Sequence, residues 1–258
     1  MILNAAAYQF TTVADPVSLA GLLRDWTRAA DLRGSVLVAP EGINLFLAGS
    51  SSGVRGIFAK LHADPRFADM QVKYSHSNTQ PFARMKVKVK PEIISFRRDA
   101  ASPLRGRAPA VAARTLAQWL QQGHDGQGRP VVLLDTRNRQ EVAYGTFEGA
   151  LTLPIDRFTQ LPAALEPYRD ALADATVVSF CTGGIRCEKA ALWMQQAGMD
   201  NVVQLEGGIL GYFEHVGGEG YDGSCFVFDR RVALGPDLTP LAAQAMRAQD
   251  DPGPVRIA

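Results

Sequence analysis

The chain has 258 residues, 47% hydrophobic and 21% charged, an ordinary globular composition long enough for one large domain or two modest ones. No apolar run approaches the ~20 residues that span a bilayer, and three cysteines with four scattered histidines (His62, His76, His124, His215) make neither a disulfide framework nor a metal site. The net charge of +1 hides an asymmetry: residues 1–100 hold 13 Lys+Arg against 8 Asp+Glu, and residues 101–258 hold 14 against 18, a split that suggests two units with different partners.

The first unit reads strand, helix, strand, strand, helix, strand. Ala6–Val13 is a mixed apolar strand. Asp15 and Pro16 open a helix whose apolar residues recur at Leu19, Leu22, Leu23, Trp26 and Ala30. Two apolar strands, 33–39 and 43–48, flank the turn Pro40-Glu41-Gly42. Ser50 to Ser52 cap a helix through Leu61, and Met70–Ser75 returns as a strand. The order βαββαβ predicts a ferredoxin-like α+β domain over residues 1–97.

Residues 84–90 alternate with a period of two. Arg84, Lys86, Lys88 and Lys90 point one way; Met85, Val87 and Val89 point the other. Residues 92–96 continue as a second extended stretch. Arg97, Arg98, Arg105 and Arg107 follow in a linker-like stretch, 98–110, and residues 84–107 hold 8 basic and 2 acidic side chains. Charge alone allows two readings. One is a grip for a phosphate backbone, with Phe82 and Phe96 placed to stack an unpaired base. The other is an edge strand kept soluble by its lysines.

The second unit, 111–220, alternates strands and helices. Val131–Leu134 and Thr176–Phe180 are all-apolar or nearly so, as buried parallel strands are. A short helix over 138–144, a short strand over 150–154, a helix over 161–172 broken by Pro167, and a helix over 188–197 stopped by Gly198 lie around them. The strand 201–205 and a helix near 209–216 complete the series. This α/β pattern predicts an open parallel sheet with helices on both faces. Residues 221–258 form a C-terminal extension, frayed from Asp250 onward.

Cys181 stands between the strand ending at Phe180 and the next helix, in the loop Cys181-Thr182-Gly183-Gly184-Ile185-Arg186. Two glycines let the backbone N–H groups turn inward as an anion cradle, the helix N-terminus adds its dipole, and Arg186 adds charge. All three favour a thiolate, so Cys181 and Arg186 are the candidate catalytic residues. A cysteine phosphatase loop places five residues between Cys and Arg; here there are four, one too few, which disfavours a phosphatase. Cys187 lies on the stripe Cys187, Ala190, Ala191, Met194 and reads as structural, or as a second thiol that resolves an oxidised Cys181. Cys225, in the apolar stretch Cys225-Phe226-Val227-Phe228, reads as core.

Four motifs now fall in order: Leu134-Asp135-Thr136-Arg137, Gly145-Thr146-Phe147-Glu148-Gly149-Ala150, the Cys181 loop, and Leu205-Glu206-Gly207-Gly208-Ile209. Residues ~130–217 thus resemble a rhodanese homology domain. The longer string Cys181 to Ala190, with Ala39-Pro40-Glu41-Gly42-Ile43-Asn44, Leu47-Ala48-Gly49 and Phe226-Val227-Phe228-Asp229-Arg230, is similar to the bacterial tRNA uridine(34) hydroxylase family over nearly the whole chain. The resemblance implies oxygen-dependent hydroxylation of the wobble uridine at C5, with Cys181 as the active cysteine. It implies the tRNA anticodon loop as partner, molecular oxygen as co-substrate, and no further cofactor or metal. It also favours RNA as the occupant of Arg84, Lys86, Lys88, Lys90, Arg97 and Arg98. Thr146 stands where many rhodaneses have His, which weakens the alternative, a sulfurtransferase carrying a persulfide on Cys181. The N-terminus lacks a basic start and an apolar core, so the expected compartment is the cytoplasm.

Overall fold

The computed structural model describes residues 1–98 and 100–241. The stretch from Asp250 lies outside the described residues. The chain divides between Arg107 and Ala108 into two units.

The first unit runs β1 (Ile2–Phe10), α1 (Pro16–Ala29), β2 (Arg33–Ala39), β3 (Gly42–Gly49), α2 (Ser51–His62), β4 (Val72–Ser77) and β5 (Met85–Val89). The sheet order is β4-β1-β3-β2-β5. The first four strands are antiparallel in the ferredoxin-like order, and β5 adds in parallel beside β2. Local chemistry starts both helices. The Asp15 carboxylate accepts the Val17 and Ser18 N–H groups with Pro16 at the first helical position, and Ser50 Oγ accepts Gly53 N–H. Leu19 and Leu23 of α1 and Val54, Ile57, Phe58 and Leu61 of α2 then pack on one sheet face, over Ala5, Ala7, Val36, Leu45 and Leu47.

Two expectations change here. β1 begins at Ile2 rather than Ala6, because Leu3 pairs with both Gly49 and His76, while Val13 N–H leaves the ladder for Pro40 O. Residues 92–96 form no strand. The Glu92 carboxylate accepts the N–H groups of Phe96 and Arg97, and Arg97 sits at φ 58, so the segment curls back.

The second unit runs β6 (Ala110–Val111), α3 (Ala113–Gln122), β7 (Val131–Asp135), α4 (Arg139–Val142), β8 (Gly145–Phe147), β9 (Leu151–Thr152), α5 (Leu161–Leu165), β10 (Thr176–Phe180), α6 (Ile185–Gln196), β11 (Val202–Leu205), α7 (Gly208–His215), β12 (Tyr221–Gly223), β13 (Cys225–Phe226) and β14 (Ala233–Leu234). Its sheet is parallel throughout, in the order β6-β11-β10-β7-β9. α3 and α7 pack over Leu133, Val178, Phe180 and Leu205. The alternate residues Val177 and Leu134 are buried on the other face, and α6 carries its own buried stripe of Cys187, Ala190, Ala191 and Met194. β12 pairs with β8 through Tyr221 and Phe147, so residues 221–223 belong to this body.

Candidate active site

The carboxyl ends of β7, β10 and β11 converge on one place, where open parallel sheets bind their ligands. Cys181 follows β10 directly. Its carbonyl accepts Ile209 N–H (2.9 Å) and that of Thr182 accepts Leu210 N–H (3.0 Å), which ties the loop to the start of α7. This contact needs Gly208. Its φ is 62, and a Cβ there would stand 2.4 Å from the Cys181 carbonyl oxygen.

Gly184, at φ 99, begins α6, and its N–H donates to Cys181 Sγ at 3.2 Å. Thr182, Gly183 and Ile185 form the outer, half-buried side of the loop, while Cys181, Gly184 and Arg186 are buried. Burial opposes ionisation of Cys181. The Cys187 thiol donating to its sulfur, the Arg186 charge, and the N–H groups of Arg186 and Gly184 outweigh burial and lower the thiol to about 5. Cys187 moves the other way. Burial and the adjoining sulfur hold it well above the usual thiol range, with Thr136 Oγ1 at 3.7 Å. Cys187, buried on the α6 stripe, thus adjoins the Cys181 loop as well as the core.

Arg186 is less free than its sequence position implies. Its two terminal nitrogens each donate to Glu141 at 2.6 Å, a buried bidentate pair. Burial raises the Glu141 carboxyl, but Arg186 and the Asn138 N–H bring it below the usual carboxylate range. Thr182 Oγ1 joins the same carboxylate at 3.3 Å. Glu141 had no sequence signal of its own beyond an acidic position in the first turn of α4; the partner lies 45 residues away. Behind this pair, buried Arg137 is forked on Asp135 and also donates to Gly145 O. Thr146 Oγ1 donates to Asp135 (2.8 Å), so the residue in place of the usual His supports the strand end. Cys225 is buried core, as expected; burial pushes its thiol up to about 12, with Arg137 and Thr182 opposing. Among the described residues no cluster of three or more His, Cys, Asp or Glu is placed to hold a metal.

The basic candidates all lie in the first unit. Arg84, Lys86, Lys88, Lys90, Arg97 and Arg98 are exposed. β5 is an edge strand, with Met85 and Val87 packed on the core and Lys86 and Lys88 on the helix-free face. Phe96 is only 1% exposed and cannot stack a base; Phe82 is half-buried. The register puts a different aromatic there. Lys73, Ala6, Phe46, Ser35 and Lys86 form one row across the five strands, and Phe46 is 39% exposed. No periodicity marked Phe46, because β3 reads as a continuous apolar run.

Comparison with known proteins agrees with both units. Residues 2–93 match the model of the UPF0176 acylphosphatase-like domain, and residues 116–215 match the rhodanese-like domain. A tRNA uridine(34) hydroxylase of Xanthomonas campestris pv. campestris (strain B100) is 72% identical over 241 residues, covering 93% of this chain and 95% of its own. Proteins of the same name from Xanthomonas euvesicatoria pv. vesicatoria (70%; 93% and 97% covered) and Xylella fastidiosa (64%; 93% and 94% covered) align over the same length. At this identity and coverage, with a loop whose geometry prepares a thiolate, the chain belongs to the tRNA uridine(34) hydroxylase family.

Proposed function

We propose that this chain hydroxylates the wobble uridine of tRNA at C5, giving 5-hydroxyuridine, with molecular oxygen as co-substrate and Cys181 as nucleophile. The observation that carries the reading is the buried Cys181 sulfur held as a thiolate by loop N–H groups, at the strand ends of a chain whose near relatives bear the hydroxylase name. The Cys181 thiolate adds to C6 of the uracil ring, which leaves C5 electron-rich enough to react with oxygen. The loop N–H groups that hold the thiolate take its charge back when it leaves. Arg186, neutralised by Glu141, orients the loop more than it supplies net charge.

The helix-free sheet face of the first unit supports tRNA as partner. Lys86 and Lys88 match phosphates, and exposed Phe46 offers a face for an unstacked anticodon base. Such a substrate places the protein in the cytoplasm; among the described residues no helix is long and apolar enough to cross a membrane. The relatives' name does not favour the persulfide-carrying alternative.

Nucleoside analysis of tRNA from a deletion strain complemented with wild type or Cys181→Ser tests the reading. Wild type alone restores 5-hydroxyuridine; restoration by Cys181→Ser removes Cys181 from the chemistry. RNA carrying 5-fluorouridine at the wobble position traps an adduct on Cys181, because fluorine at C5 blocks the proton loss that expels the thiolate. An active enzyme that forms no adduct rules out addition at C6.

A further inference from the structure

Placing one atom of O2 into a C–H bond turns the other into water and consumes two electrons and two protons. Two sulfurs in the buried loop are arranged to supply them. Cys181 and Cys187 are both free thiols and both fully buried. Both stand on the same turn of chain around Gly184, and Cys187 is the neighbour that most lowers the Cys181 thiol. Gly184 holds both: its N–H donates to Cys181 Sγ at 3.2 Å, and its carbonyl accepts Cys187 N–H at 3.0 Å. Thr136 Oγ1, fixed on Phe180 O at 2.9 Å, stands 3.7 Å from Cys187 Sγ on the other side. Cys187 is thus held in the first turn of α6 beside the Cys181 loop, by Gly184 of that loop and by Thr136 at the end of β7.

We propose that Cys181 and Cys187 act as a dithiol that supplies both electrons of the hydroxylation and ends as a disulfide. The proposal rests on the hydroxylase reading above. After Cys181 has added to C6, oxygen bonds to C5 and a proton completes a C5 hydroperoxide. The Cys187 sulfur attacks the distal oxygen. An S–O bond forms, the O–O bond breaks, and the thiol proton passes to the oxygen left on C5. Cys187 is oxidised to a sulfenic acid and the peroxide is reduced. The C5 proton then leaves, the C6–S bond breaks, and 5-hydroxyuridine departs from the Cys181 thiolate. That thiolate attacks Cys187; the S–S bond forms and hydroxide leaves as water. The sum is uridine, O2 and two thiols giving 5-hydroxyuridine, a disulfide and water. A dithiol reductant then returns the pair to its starting state.

The division of labour follows the surroundings. Cys181 is ionised and so is the sulfur that adds to the base and later closes the disulfide; Cys187 keeps its proton and so delivers one to the C5 oxygen. Burial shields the sulfenic acid from further oxidation.

The test is a single turnover with fully reduced enzyme, anaerobically mixed with unmodified tRNA and then given oxygen without reductant. One 5-hydroxyuridine forms per chain and two thiols disappear. Trypsin cuts after Arg186, so the disulfide appears as two peptides that separate on reduction. Repeated turnover requires an added dithiol such as dithiothreitol. Cys187→Ser and Cys187→Ala chains still trap 5-fluorouridine RNA on Cys181 but make no 5-hydroxyuridine. Product formed with both thiols retained, or unaltered turnover by either Cys187 variant, overturns the proposal. The wild-type thiol count decides the matter even where a variant fails to fold. A wild-type enzyme that makes no 5-hydroxyuridine even with reductant overturns the hydroxylase reading itself, and the proposal with it.

Discussion

The charge that Arg186 brings beside Cys181 is matched by the carboxylate of Glu141, and that pairing sets how far the thiol is lowered. Removing the anion leaves a buried guanidinium without its partner, which costs about 3–5 kcal/mol. Glu141→Gln is therefore expected to lower the urea midpoint with an unchanged slope. The same change exposes Cys181 to the full Arg186 charge, so its pKa falls further. Alkylation by iodoacetamide, followed against pH, reads this directly. In the wild type reactivity is expected to be half-maximal at about 5 and to fall below it, where the thiolate takes up its proton; an unperturbed thiol turns over near roughly 8.5. A wild-type half-point at that ordinary value contradicts the assigned thiolate. A Glu141→Gln half-point above the wild type's contradicts the role given to the ion pair. The Cys181 loop was legible in the sequence because its parts are contiguous. Glu141 was not, since nothing local distinguishes a helix-start glutamate that faces solvent from one that meets an arginine far along the chain.

At the scale of elements, the short strands β8 and β12 are held to the parallel sheet by one ring. Phe147 packs edge-on against Phe180 (4.9 Å between centroids), Tyr212 (4.8 Å) and Tyr221 (5.1 Å). These T-shaped contacts join β8, β10, α7 and β12, and Phe147 is fully buried. Phe147→Ala removes the hub and is expected to destabilise the second unit by about 3–5 kcal/mol, seen as an earlier denaturant midpoint; a loss under ~1 kcal/mol means the neighbours collapse into the space. Element type was readable where the pattern was strong: the helical spacing of α1 and α6, and the apolar runs of β7 and β10. β6, α3, β8, β12, β13 and β14 escaped notice. Two- and three-residue strands have no period to show, and α3 starts at Ala112 without a side-chain cap.

Across the whole molecule, the charge divides more sharply at the unit boundary than at residue 100. Residues 1–107 carry 15 Lys+Arg against 8 Asp+Glu, and residues 108–258 carry 12 against 18. The first unit has its own sheet and core, so residues 1–107 expressed alone are expected to fold and to bind tRNA in a salt-dependent way. Lys86→Ala and Lys88→Ala in that fragment should each reduce the slope of log affinity against log salt by about 1. Binding by residues 108–258 alone, with none by 1–107, removes the sheet face from the tRNA interface.

Sequence by itself determined the two-part organisation, the fold of each part and the loop that makes Cys181 the candidate nucleophile. These rest on local signals: alternation along strands, caps at helix starts, and a loop whose cradle is built from consecutive residues. Tertiary structure decided what surrounds that cysteine and which groups face outward. It paired Arg186 with Glu141, set Cys187 beside the Cys181 loop, buried Phe96 beneath a curled segment and left Phe46 exposed in a row that ends in lysines. Each of these depends on strand register or on contacts between residues distant in the chain, and the chemistry of a buried charge or thiol is set by such neighbours rather than by its own position in the sequence.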